Sequence, residues 1–173
     1  MITYKNIIDD FSTIATNHYL INSFHSGLLD EVDIDKMDQS NFPILYVEPG
    51  TTTADTGVLT YTFTVFTMNL IKEDLTNRDE VWTEMLQVMQ DIIAEFKQNL
   101  SVQTSGSDID KKYSYVPGEV VLETPIDIDP FTVRFSNMLT GWSATLSLEV
   151  NNPNSLCSAP IEPSNEQEIH NGY

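Results

Sequence analysis

Residues 58–71, VLTYTFTVFTMNLI, alternate apolar and polar side chains, but the alternation changes phase partway along. Leu59, Tyr61, Phe63 and Val65 hold one set of alternate positions, and Phe66, Met68 and Leu70 hold the other. Successive side chains of an extended strand point to opposite faces. A phase flip inside one long strand therefore predicts a bulge, or a section covered on both faces.

Reading outward toward the N-terminus, residues 51–57, TTTADTG, form a polar tip, and residues 42–50, FPILYVEPG, form a short apolar run closed by Pro49 and Gly50. The apolar run predicts a buried strand. Residues 22–41 contain turn formers and many acidic or amide side chains with no sustained period, which predicts a surface loop long enough to take part in contacts. Tyr4, Ile7, Phe11, Ile14 and His18 recur at steps of three and four, with Ile8 and Ala15 beside them, which predicts a helix with one apolar stripe over 4–19.

Reading toward the C-terminus, Asn77 followed three residues later by Glu80 has the form of a capping box. The helix it would open carries Trp82, Met85, Leu86, Met89, Ile92, Ile93 and Phe96 on a stripe, and at this spacing such residues are core rather than a cofactor site. GEVVLE at 118–123 predicts a short strand, and FTVRFSNMLTGWSATLSLEV at 131–150 predicts a hairpin. If both apolar sets of the hairpin share a face, Phe135 lies opposite Trp142, Val133 opposite Ala144 and Phe131 opposite Leu146, with the turn within 136–141. That face should take the second helix; the other, with Arg134, Thr132, Ser143, Thr145, Ser147 and Glu149, should be hydroxyl-rich and wet. The expected fold is α+β, a mostly antiparallel sheet of about four strands packed on one face by amphipathic helices. It forms one domain over 1–150, followed by an extended or flexible arm over 151–173 with three prolines.

Composition limits the function. At 173 residues the chain fits one domain, and folding should bury roughly 70% of the surface that the unfolded chain exposes. No apolar run approaches the ~20 residues of a membrane span. The N-terminal MITYKNIIDDF lacks a basic start and an apolar stretch, so cytoplasmic synthesis is expected. Cys157 is the only cysteine, which excludes an internal disulfide. Acidic side chains number 26 against 8 basic ones, for a formal net charge of −18. Arg78 and Arg134 are the only arginines, a poor endowment for gripping phosphates.

Residues suited to catalysis are equally sparse. The chain has no Gly-rich phosphate loop, no G-x-S-x-G and no H-E-x-x-H. Asp33 and Asp35 with Asp38, and Asp127 with Asp129, are neighbouring acids of the kind that hold Mg²⁺ or Ca²⁺. Read as a calcium loop starting at Asp33, the sequence fails: Met37 stands at the fifth position, Asp38 at the glycine position and Ile44 where a bidentate Glu belongs. His18 and His25 would need one continuous helix to share a metal, and Ser23 and Gly27 end it. The expectation is no catalytic residue, no cofactor and no metal site. An acidic adaptor or DNA mimic that docks a basic partner, and a divalent-metal enzyme built on Asp33 or Asp127, are the competing readings.

The order of helix, loop, FPILYV strand, long strand, the passage NLIKEDLTNRDEVW into a helix, and the NMLTGW turn into the last strand resembles a family of phage proteins. These are the tail-terminator and head-tail joining proteins of tailed bacteriophages, in a form similar to the neck ring proteins of crAss-like phages. The resemblance covers 1–150. It implies a non-catalytic virion subunit that closes into a six- or twelve-fold homo-oligomeric ring around the DNA exit channel. Such a ring would contact neighbouring portal, neck and tail proteins, and DNA would pass through its lumen without specific binding. Subunits each carrying −18 repel one another, so assembly is expected to rest on apolar contacts, strand pairing, the arm, or a more basic neighbouring ring. The expected contact segments are 28–42, 51–58 and the residues after 151.

Overall fold

The computed structural model describes residues 2–28, 37–98, 120–134 and 138–152. In chain order the elements are α1 (Tyr4–Asn17), β1 (Ser23–Ser26), a single 3₁₀ turn (Gln39–Asn41), β2 (Ile44–Asp55), β3 (Val58–Leu70), α2 (Arg78–Gln98), β4 (Val120–Leu122), β5 (Ile128–Arg134) and β6 (Met138–Asn151). The strands form one sheet in the order β1-β2-β3-β6-β4, with β5 also paired to β6. Among the described strands, β1 and β2 pair in parallel and the other pairs are antiparallel. The α+β class is as expected, with six strands among the described residues where about four were anticipated.

Helix α1 starts where Thr3 caps it. The Thr3 side chain accepts the Asn6 amide at 3.3 Å, and the Asn6 side chain accepts the Thr3 amide at 2.9 Å, satisfying donors that a helix start leaves orphaned. The capping box expected at Asn77 does not form in this way, because the Asn77 side-chain oxygen turns back to accept the Lys72 amide at 2.9 Å. Helix α2 buries Val81, Met85, Val88, Met89, Ile92 and Phe96, so Val81 and Val88 join a stripe on which Trp82, Leu86 and Ile93 are only partly covered.

The two central strands explain the phase flip. Both edges of β3 are paired, Phe63 with Leu146 and Val65 with Ala144 on the side that faces the helices. Leu45, Val47, Phe63, Val65, Leu146 and Leu148 pack there with α1 and α2, and Phe11 meets Phe96 and Phe63 at ring separations of 4.6 and 5.6 Å. On the opposite face, at the other end of β3, Phe42, Ile44, Tyr46, Met68 and Leu139 form a second, smaller core with Phe66, Leu70 and Phe131 against it. The strand is covered on both faces, and the alternation runs through it without a bulge. Complete burial of such side chains contributes roughly 1.5–3 kcal/mol each, so the small core is a substantial anchor for the sheet.

The bulge falls in β2. Pro49 pairs with Phe63 and Thr52 with Tyr61, leaving Gly50 and Thr51 together opposite Thr62. Pro49 and Gly50 thus kink the strand instead of ending it, and residues expected as a polar tip continue as strand to Asp55. The tip itself is Thr56-Gly57, a two-residue connection with Gly57 at φ 78°, a left-handed conformation that glycine adopts without penalty.

Two further expectations are corrected. Part of the 22–41 loop is strand β1, whose four residues carry no period and are ordered by the parallel ladder to 44–47. The hairpin register is also shifted: Phe131 pairs with Gly141, not Leu146, and Val133 with Leu139, not Ala144. Arg134 pairs with Met138, so the chain reverses earlier than the 136–141 turn, and β5 begins at Ile128 with Pro130 inside it. An offset by an odd number of residues moves Phe131 to the opposite face, where the second core receives it. Phe135 and residues 29–36 and 153–173, on which the remaining loop and arm expectations fall, lie outside the described residues.

Candidate functional site

Three hydrogen bonds set α2 on the sheet. The Trp82 indole donates to the Thr140 hydroxyl at 2.7 Å, the Trp142 indole donates to the Trp82 carbonyl at 2.8 Å, and the Thr67 hydroxyl donates to the Met85 carbonyl at 2.9 Å. The Thr140 hydroxyl donates in turn to the Phe131 carbonyl at 2.8 Å. Each polar side chain of this network is matched, which fixes the height of α2 above β3 and β6. The Arg78 guanidinium lies 4.9 Å over the Trp82 ring, a cation–π contact that caps the start of this arrangement.

With the helices on one face, the other face is open beyond the small core. Thr64 and Thr145, Thr62 and Ser147, and Thr60 and Glu149 lie side by side across β3 and β6, with Thr53 next to Thr60 and Glu48 next to Thr64. Thr145, Ser147 and Glu149 are where the sequence placed them, on the wet face. Thr132 is not: it pairs with Thr140, and their hydroxyls lie 3.1 Å apart. The β2–β3 tip extends this face, and residues 51–56 are all exposed.

Among the described residues, the acids considered as metal ligands do not gather into a cluster of three. Asp33 and Asp35 lie outside the described residues. Asp38 accepts the Ser40 amide at 3.1 Å and so caps the turn that leads to Phe42. Asp127 and Asp129 are exposed along a groove of about 310 Å³ that also touches Thr64, Ser143 and Thr145. Among the described residues, no three His, Cys, Asp or Glu side chains come together as a metal centre.

The histidines are apart. His18 accepts the Leu20 amide on Nδ1 at 3.2 Å, which leaves Nε2 to carry the proton and donate to Asp91 at 3.2 Å. The ring thus joins the end of α1 to α2, with the hydrogen bond expected of a partly buried histidine on that stripe. His25 stands on β1 opposite Tyr46, and its buried Nε2 has no partner among the described residues.

Two ion pairs among the described residues lie at the surface. Lys5 bonds Asp9 at 2.7 Å and Arg78 meets Asp79 at 3.4 Å, both at the surface, where ion pairs contribute roughly 0–1 kcal/mol. Asp74 accepts the Thr76 amide and hydroxyl at 3.1 and 2.8 Å, and these bonds hold its carboxyl below the ordinary value in the turn before α2. No described helix is long and apolar enough to cross a membrane. The sequence matches no protein-family model and no curated protein.

Proposed function

We propose that this chain is a structural subunit of a phage neck ring, a head-tail connector or tail terminator that surrounds the DNA exit channel and joins the head to the tail. The observation that carries the reading is the element order: the helix α1, the strands β2 and β3, the amphipathic helix α2 laid across one face of the sheet, and the closing strands β5 and β6. This is the order from which the resemblance was drawn, and it leaves one polar sheet face and one projecting hairpin free of the domain's own helices. In a ring, those surfaces meet neighbouring subunits or the lumen. The excess of carboxylates repels DNA phosphates, so the duplex passes without being held.

Native mass spectrometry of the 19.5 kDa chain at low and high salt tests the proposal. The expected result is a closed six- or twelve-mer favoured by salt, since screening relieves the repulsion between subunits. A monomer at every salt concentration that forms a stable one-to-one complex with a basic DNA-binding protein would overturn it in favour of an acidic adaptor.

A further inference from the structure

Among the described residues, the outer edge of β2 is half used. Strand β1 pairs with Ile44 to Val47, and Gly27 N–H donates to the Val47 carbonyl at 3.1 Å. Pro49 offers no donor, the Gly50–Thr51 bulge turns the strand, and from Thr52 to Asp55 the strand that pairs with β2 among the described residues is β3. Residues 50–54 are all exposed, and alternate backbone groups along about 17 Å of strand point outward to solvent.

Edges of this kind are usually blunted by lysine, proline or a covering element because they template pairing with another chain. Residues 50–54 contain neither lysine nor proline, and among the described residues no element covers their outer side. The run Gly-Thr-Thr-Thr-Ala combines three β-branched residues with no ionisable side chain, in a chain of net charge −18. A basic partner would be drawn to an acidic edge. An uncharged one suits a second copy of an acidic chain, because main-chain hydrogen bonds form there without bringing carboxylates into a dry contact.

We infer that the Gly50–Ala54 edge is a strand-addition site that is filled by a strand of a second copy of this chain. Backbone groups supply the attraction, and the missing charge lets two strongly anionic domains close on each other. The inference rests on the self-assembly part of the ring reading and names the contact through which copies join.

The test is hydrogen exchange and native mass on the full chain, across protein concentration at high salt, with Thr52→Pro and Thr53→Pro beside the wild type. Neighbouring amides point to opposite sides, so one substitution deletes an outward donor and the other a donor toward β3. Association should slow exchange at 50–54 at least about tenfold. The outward-donor variant should weaken assembly at least about tenfold while its monomer melts like the wild type. An oligomer whose 50–54 amides exchange as in the monomer overturns this inference and leaves the ring reading standing. A chain that is monomeric throughout overturns the inference, and rings then found only when a portal template is added would keep the ring reading alive.

Discussion

Gly141 is where β6 passes closest to β3, and replacing it with alanine should break the centre of the sheet. A Cβ at this position would lie 1.9 Å from the Thr67 carbonyl oxygen and 2.9 Å from both the Thr67 carbonyl carbon and the Met68 Cα. All three are backbone atoms, so no side-chain rotation relieves the overlap. Ordinary contact begins at 3.4 Å, so the strands must part locally by about 1.5 Å. A ladder hydrogen bond of ~2.9 Å stretched by that amount is lost. Two or three such bonds, in a section buried on both faces, cost roughly 1–3 kcal/mol each when left unmade. The contact of Met68 with Leu139 and Phe131 in the small core loosens with them. The expected destabilisation for Gly141→Ala is therefore about 3–6 kcal/mol, a large part of the ~5–15 kcal/mol typical of a domain. Urea unfolding followed by circular dichroism measures it, with two other glycines as internal standards. A Cβ on Gly50 meets its nearest atom at 3.1 Å, and one on Gly57 meets nothing within 4 Å but sits at a left-handed φ of 78°. Gly57→Ala should cost about 1 kcal/mol from backbone strain, and Gly50→Ala should fall below Gly141→Ala. A Gly141→Ala variant within about 1 kcal/mol of the wild type would refute the close approach of β3 and β6 on which this calculation stands.

The indole network supplies a second prediction: in a double-mutant cycle of Trp82→Phe and Thr140→Val, urea denaturation should give a coupling of about 0.5–1.5 kcal/mol, and additive effects would mean that the 2.7 Å bond does not form in solution. The Asp74 carboxyl should titrate in an NMR pH series below its ordinary 3.8, and Thr76→Ala, which removes the hydroxyl but keeps the amide, should raise it only part of the way. Because its pKa is lowered in the folded state, any stability that it adds is present above the unfolded-state value and is lost as pH falls through the folded one.

Much of the fold can be read from periodicity. Both helices, the two long central strands and the short strand at 120–122 follow from local alternation that the tertiary structure keeps. His18 was correctly read as a structural histidine, although only the folded chain identifies Asp91, 73 residues away, as its partner. The hydroxyl face is legible at Thr145, Ser147 and Glu149 but not at Thr132, because alternation alone does not fix the register of β5 on β6. Alternation puts all the apolar residues of the hairpin in one core, whereas Phe131 belongs to a second one. Strand β1 left no signal, since four residues without alternation become a strand only through the partner beside them.

The sequence by itself determined the class of fold, the amphipathic faces and the strongly anionic character, because periodicity and charge are properties of neighbouring residues along the chain. The tertiary structure alone decided that β3 is covered on both faces, that Pro49 and Gly50 bend a strand they were expected to end, and that among the described residues no strand lies along the outer side of Gly50 to Ala54. Each of these depends on which strand lies alongside at which offset. Backbone hydrogen bonds between strands are nearly indifferent to side-chain identity, so register is settled by the sum of burial on both faces, and that sum exists only once the sheet is assembled.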